Sequence, residues 1–215
     1  MAVLRTSGYD RVLLEIHTMV VNLAGSVQDI LSKAIVTLER PEQQEDWRTL
    51  DQAIDQARSQ ILDRIIDIMS LQQLRTQELR FMLGHQRMAQ GLERIADYSC
   101  DIAELSRLRS DAGWPPEILQ MSGCLLSMFE HVLIGLKGEQ EMQVDLDEED
   151  DQLDRNYASL QKELMDKGPS KSISVELGLA LVMARTLERL GDHIVNVGEM
   201  QVYIKTGHRR LSGQG

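Results

Sequence analysis

Residues 187–199, LERLGDHIVNVGE, place polar side chains within an apolar pattern that has helical spacing. Four of these polar residues follow one another at steps of four, four and three: Glu188, Asp192, Asn196 and Glu199. Residues separated by three or four positions lie on the same face of an α-helix. Because unpaired carboxylates at this spacing repel one another, the segment predicts a helix whose acidic stripe needs a positively charged partner.

The first half of the chain contains a second copy of this segment. Residues 92–104, LERIADYSCDIAE, align with 187–199 without gaps, and the Leu, Glu, Arg and Asp and the final Glu are identical. The corresponding stripe consists of Glu93, Asp97 and Asp101. Each half also carries an Asp-x-x-x-Asp pair upstream of its copy, Asp63 with Asp67 and Asp150 with Asp154. This repetition indicates an internal duplication.

Apolar residues at steps of three and four predict six long helices, three on each side of the Gly- and Pro-containing stretch 110–117. The predicted ranges are 9–38, 41–69, 71–108, 116–136, 141–165 and 172–206, with Pro41 in the first turn of the second helix. We therefore expect an all-α fold of two tandem three-helix bundles. The expected domains are residues 1–110 and 115–207, followed by a flexible tail at 208–215.

Composition excludes several classes of function. A formal net charge of -11 makes the chain a poor ligand for nucleic acid or for an anionic membrane surface. The two cysteines, Cys100 and Cys124, form neither a disulfide framework nor a metal-binding pair. No basic-then-apolar leader begins the chain, and no apolar run is expected to span a membrane. These features predict a cytoplasmic protein without direct membrane insertion.

The acidic stripes favour cation binding if the helices of each half bring them together. Convergent carboxylates are unfavourable unless a cation neutralises them, and oxygen donors suit iron, zinc, manganese, magnesium and calcium. The alternative is a solvated acidic surface in which Arg94 and Arg189 pair locally. The acidic run 139–151 is expected to be an exposed helix start. No histidine follows a glutamate at three positions, which disfavours a di-iron carboxylate site.

Residues 185–207, RTLERLGDHIVNVGEMQVYIKTG, closely resemble the signature of the PhoU family of bacterial phosphate-uptake regulators. The resemblance covers nearly the whole chain and implies two three-helix bundles with multinuclear metal sites and no enzymatic activity. It further implies a negative regulator that connects the ATPase subunit of a phosphate ABC transporter with a membrane sensor histidine kinase. Family members are often homodimers.

Carried over by position, the resemblance implies ten metal ligands. They are Asp63, Asp67, Glu93, Asp97 and Asp101 in the first half, and Asp150, Asp154, Glu188, Asp192 and Asn196 in the second. The first half departs from the family pattern at two points. Residues 77–83, QELRFML, lack the usual proline and Asp-Leu-Arg stretch, and Ala96 replaces a glycine.

Two other functions are compatible with the same pattern. The first is a carboxylate-bridged helical bundle that stores metal or performs redox chemistry. The second is a purely structural helical scaffold with solvated acidic stripes, in which Asp97→Asn and Asp192→Asn would leave regulation unchanged.

Overall fold

The computed structural model describes residues 4–42, 45–109, 113–138, 146–166 and 175–207. Within these ranges it contains six α-helices and no strand, which confirms the predicted all-α fold. The helices are α1 (Leu4–Val36), α2 (Trp47–Leu71), α3 (Thr76–Ser106), α4 (Pro116–Lys137), α5 (Leu146–Asp166) and α6 (Val175–Thr206). Helices α1–α3 pack as one bundle and α4–α6 as a second, and the bundles meet through α3 with α6 and α1 with α4.

The start of α2 differs from the prediction. Pro41 lies in a turn, and the helix begins at Trp47 after the N-cap residue Asp46, whose carboxylate accepts a 3.1 Å hydrogen bond from the Thr49 backbone N–H. Asp46 satisfies an amide that would otherwise lack a partner, and buried Trp47 anchors the helix start. The predicted starts of the fifth and sixth helices, at 141 and 172, lie outside the described residues.

Helices α3 and α6 form the centre of the molecule and run antiparallel. Gly84 faces Ile204 and Gly91 faces Val197. The residue number therefore rises by seven along α3 while it falls by seven along α6, as expected for antiparallel helices. A Cβ atom at Gly91 would lie 2.8 Å from Val197 Cγ2. Glycine inside a helix costs up to about 1 kcal/mol relative to alanine, and here it permits the close approach of the two helices.

The core is built from aliphatic side chains and methionine, in keeping with an aromatic fraction of 4%. The largest fully buried side chains include Phe129, Ile16, Leu31, Ile61, Met82, Met88 and Leu92.

Among the described residues, α1 over Asp10–Val36 and α4 over Pro116–Lys137 reach mean hydropathies of 1.2 and 1.4, enough by length and composition to cross a membrane. Length and composition are weak evidence for a membrane span, because the core helix of a soluble protein passes the same test. Burial of their apolar faces in the core accounts for this composition.

Candidate metal centre

In the second bundle, the structure brings together two aspartates from α5 and two acidic residues from α6. Burial and, in decreasing order of importance, the charges of Asp192, Asp154 and Glu188 together raise the pKa of Asp150 to about 6. Burial followed by the charge of Asp192 also raises the pKa of Glu188. Four of the five second-half residues predicted as ligands therefore share one acidic cluster.

The cluster is only partly neutralised by nearby cations. Arg185 donates a hydrogen bond to Glu188 Oε1, although the sequence had suggested Arg189 as the local partner. The second oxygen, Glu188 Oε2, is buried without a hydrogen-bond partner. Burial, followed by the charge of Asp154, raises the pKa of Asp192. The negative charges of Asp154 and Asp192 therefore lie near Glu188 Oε2, a buried acceptor atom, without full compensation by arginine.

A cavity of about 440 Å³ opens beside this cluster. Its lining is mostly polar and comprises Tyr98, Asp147, Asp150, Arg189, Asp192, His193, Val195, Asn196 and Glu199. Asn196, the fifth predicted ligand, lines the cavity and donates a 2.7 Å hydrogen bond through its side-chain nitrogen to the Asp192 carbonyl. The cavity is large enough for an ion with several water molecules.

Gly191 allows α5 to approach α6 at the level of the cluster. A Cβ atom at this position would overlap Leu153 Cδ1 and would lie 3.6 Å from Asp150 Oδ1. Ala96, the equivalent residue of the first half, is fully buried.

The first bundle contains a similar cluster, in which Asp51 and Asp55 of α2 face Glu93 and Asp97 of α3. Burial and the charges of Glu93, Asp51 and Asp55 together raise the pKa of Asp97 to about 6. Arg94 opposes this rise and donates a 3.2 Å hydrogen bond to Asp97 Oδ2. Burial, followed by the charge of Asp55, also raises the pKa of Asp51, which interacts with Asp97.

The structure does not bring Asp63 and Asp67 to this cluster, so their predicted placement beside Glu93 and Asp97 is wrong. Both are exposed, and twelve residues of helix put Asp63 about 18 Å along the axis from Asp51. Arg64, next to Asp63, pairs instead with Glu15 on α1 at 2.8 Å.

The correct pairing had a signal in the sequence. Asp51 and Asp55 flank buried Ile54 in the same pattern in which Asp150 and Asp154 flank buried Leu153. Aligning the halves on these apolar residues would have identified the α2 pair. Asp101, also predicted as a ligand, is largely exposed at the edge of the cluster. Partial loss of solvent and the charges of Glu104 and Asp51 raise its pKa.

Comparison with known proteins agrees with the duplicated architecture. A model of the PhoU domain matches residues 20–106 and again residues 118–200. This chain belongs to the PhoU family.

Two PhoU homologues align with nearly the whole chain. The "phosphate-specific transport system accessory protein PhoU homolog" of Streptococcus pneumoniae is 29% identical over 93% of this chain and 95% of its own length. PhoU homolog 1 of Thermotoga maritima is 28% identical over 93% of this chain and 89% of its own length.

The fold also matches a crystal structure, that of the phosphate transport system regulatory protein PhoU from Streptococcus pneumoniae. The TM-score is 0.81 and the identity 26%, with coverage of 94% of this chain and 98% of the other. The six-helix PhoU architecture is thereby shown for this chain.

The PhoU-family clusters offer an all-oxygen donor set that suits a hard cation. Asp150, Asp154, Glu188 and Asp192 would hold it in the second half. Enclosing an ion requires side-chain rotation, because no three His, Cys, Asp or Glu side chains in the described ranges converge closely enough to hold one. The buried, unpartnered Glu188 Oε2 and the raised pKa of Asp150 fit a site whose carboxylates bind a cation once they turn inward.

Proposed function

We propose that this PhoU-family protein is a cytoplasmic negative regulator of phosphate uptake and phosphate-starvation signalling. The family match along both halves supports the proposal, as do relatives of similar length that are named for the phosphate-specific transport system. In this role the chain acts as an adaptor between a transporter ATPase subunit and a sensor histidine kinase. It works without catalysing a reaction, and it functions as a homodimer.

The observation that carries the cation-dependent part of the proposal is the pair of acidic clusters at corresponding places in the two bundles. In each, two aspartates of the second helix face a Glu-x-x-x-Asp pair on the third, and one aspartate has its pKa raised to about 6. At neutral pH these carboxylates are ionised and repel one another. A multivalent cation would remove this repulsion and fix α2 to α3 and α5 to α6.

The regulatory role is tested in a strain that lacks the gene. Expression of the parent chain should restore low phosphate uptake and low phosphate-starvation gene expression in phosphate-rich medium. The Asp97→Asn/Asp192→Asn double variant should restore neither, whereas Asp151→Asn, a change at an exposed aspartate next to the second cluster, should behave like the parent. Full repression by the double variant would show that regulation does not need the clusters.

The adaptor role is tested by co-purification from phosphate-replete cells. The tagged chain should retain the transporter ATPase subunit and the sensor kinase, both identified by mass spectrometry. Two results together would reject the proposed function. Deletion of the gene would leave phosphate uptake repressed in phosphate-rich medium, and both partners would be absent from the purified material.

A further inference from the structure

One face of α4 surrounds the side chain of Glu149 on α5. Ser127 Oγ donates a 2.9 Å hydrogen bond to Glu149 Oε1, and His131 Nδ1 lies 3.5 Å from Glu149 Oε2. Cys124 Sγ contacts the backbone carbonyl oxygen of Glu149 at 3.4 Å. Cys124, Ser127 and His131 follow one another at steps of three and four, so a single face of α4 provides all three contacts.

These contacts distinguish Glu149 from the other acidic residues at the start of α5. Glu148 and Asp151 are exposed, whereas the Glu149 side chain is only 24% exposed. Glu149 Oε2 is buried and lacks a partner with hydrogen-bond geometry. Burial of a carboxylate is unfavourable without compensating contacts, so the expected exposed helix start does not account for this residue.

Glu149 lies immediately before Asp150 of the second acidic cluster. One turn later, Leu153 packs in the space that Gly191 leaves open on α6. Helix α5 is therefore fixed to α4 through Glu149 and to α6 through Leu153. Asp150 and Asp154 lie on the other side of Leu153 from Glu149, on the face of α5 that is directed toward the acidic residues of α6.

We propose that Glu149, hydrogen-bonded to Ser127 and placed beside His131, is a positioning residue that orients Asp150 and Asp154 in the second cation site. The inference rests on the proposed cation binding. Glu149 would act through the backbone of α5, which it fixes to α4, and outer groups that orient metal ligands commonly change metal affinity by about 10–100-fold when they are removed.

The first bundle uses a different anchor, which provides an internal control. Leu50 precedes Asp51 at the position where Glu149 precedes Asp150. The start of α2 is fixed by buried Trp47 and by the Asp46 N-cap. Removal of the Glu149 side chain should therefore weaken the second cation site and leave the first one unchanged.

The test is a titration of the full chain with Mn²⁺, in which free Mn²⁺ is measured by electron paramagnetic resonance. Glu149→Ala should weaken binding about 10–100-fold at one of two sites in the parent chain. Ser127→Ala, which removes only a hydroxyl, should weaken the same site by a smaller factor. Glu148→Ala, a change at the exposed neighbouring glutamate, should bind like the parent, and circular dichroism confirms that each variant is folded.

Two outcomes separate this inference from the proposed function. Unchanged binding at both sites in Glu149→Ala overturns the positioning role and leaves the proposed function intact. If the parent binds no Mn²⁺, the cation-dependent part of the proposed function fails, and hydrogen exchange decides the positioning role. Peptides covering 150–154 should then exchange at least about tenfold faster in Glu149→Ala than in Glu148→Ala, with peptides covering 51–55 unchanged. Equal exchange in both variants overturns it.

Discussion

Tyr98 stacks on His193 across the contact between α3 and α6, with the ring centroids 5.6 Å apart. The two residues are 95 positions apart, as are Asp97 and Asp192 immediately before them, so they occupy equivalent places in the two repeats. Contact between equivalent residues places the stack on the approximate two-fold axis that relates the bundles. One ring pair therefore joins the backbone segments that carry the central aspartates of both acidic clusters.

Substitution of Asp150 by asparagine should stabilise the cation-free protein at neutral pH. The pKa of Asp150 is raised to about 6 in the folded state from an ordinary 3.8, so folding is opposed above pH 6 and this opposition disappears as the pH falls toward 4. After allowance for solvent screening, the gain for Asp150→Asn is about 1 kcal/mol at pH 7.5. Urea denaturation with a chelator present measures it, and the gain should shrink between pH 6 and 4. A gain that is independent of pH would contradict the assignment.

Addition of a cation that binds the second cluster should make the parent chain more stable than Asp150→Asn, which reverses their order in the absence of the cation. With excess Mn²⁺ at pH 7.5, the parent should gain thermal stability by mass action and Asp150→Asn should gain less. Differential scanning calorimetry with and without the ion measures the two shifts. Asp151→Asn serves as the control, because this exposed aspartate lies outside the cluster and its loss should leave the parent's shift intact. Equal shifts in parent and Asp150→Asn would argue against ligation by Asp150.

Asp51→Asn and Asp63→Asn distinguish the observed pairing of α2 with α3 from the predicted one. The charge of Asp51 acts directly on Asp97, whereas Asp63 is exposed elsewhere on the helix. Mn²⁺ affinity at the first site should fall about tenfold or more in Asp51→Asn, a loss of about 1.4 kcal/mol. Asp63→Asn should match the parent. The reverse result would restore the pairing that the sequence suggested.

Gly191→Ala should destabilise the protein and weaken the second cation site. The added Cβ atom would overlap Leu153 Cδ1, so the buried Leu153 side chain must repack or α5 must move away from α6. Overpacking of this kind costs about 1–3 kcal/mol. Gly123→Ala on α4 is the matched control, since a Cβ there meets nothing within 4 Å and alanine should stabilise the helix by up to about 1 kcal/mol. Chemical denaturation of both variants measures the difference, and equal stabilities would refute the packing argument.

The buried residue His85, next to the partly buried His17, should make the fold sensitive to acid. Burial lowers the pKa of His85 to about 4, and His17 Nδ1 lies 3.1 Å from His85 Nε2. The unfolded chain takes up this proton near pH 6.5 and the folded chain only near pH 4. Titration of His85 therefore has no effect on stability at pH 7.5 but destabilises the fold as the pH falls below 6.5, by about 2 kcal/mol at pH 5. The stability difference between parent and His85→Gln, each measured with a chelator present, should narrow by this amount. A constant difference would show that His85 titrates normally.

The duplicated segment contained most of the information about the fold. Apolar residues at steps of three and four define α3 and α6, and the gap-free match of 92–104 with 187–199 relates the two bundles. The cluster formed by Asp150, Asp154, Glu188 and Asp192 also followed from helical spacing, because each pair is separated by four positions and faces one side of its helix. The ligand role of these residues stays a prediction.

Spacing could not select among the acidic residues of α2 or at the start of α5. Asp51 with Asp55 and Asp63 with Asp67 have the same four-residue step, and only packing around buried Ile54 places the first pair beside Asp97. Glu149 is likewise one member of an acidic run until α4 supplies Ser127 and His131.

By itself, the sequence determined six helices, their duplication and the acidic face of each third helix, since these depend on contacts within one helix turn. Only the tertiary structure decided which carboxylates meet across helices, because the axial register between two helices is set by packing of side chains that are distant in the chain.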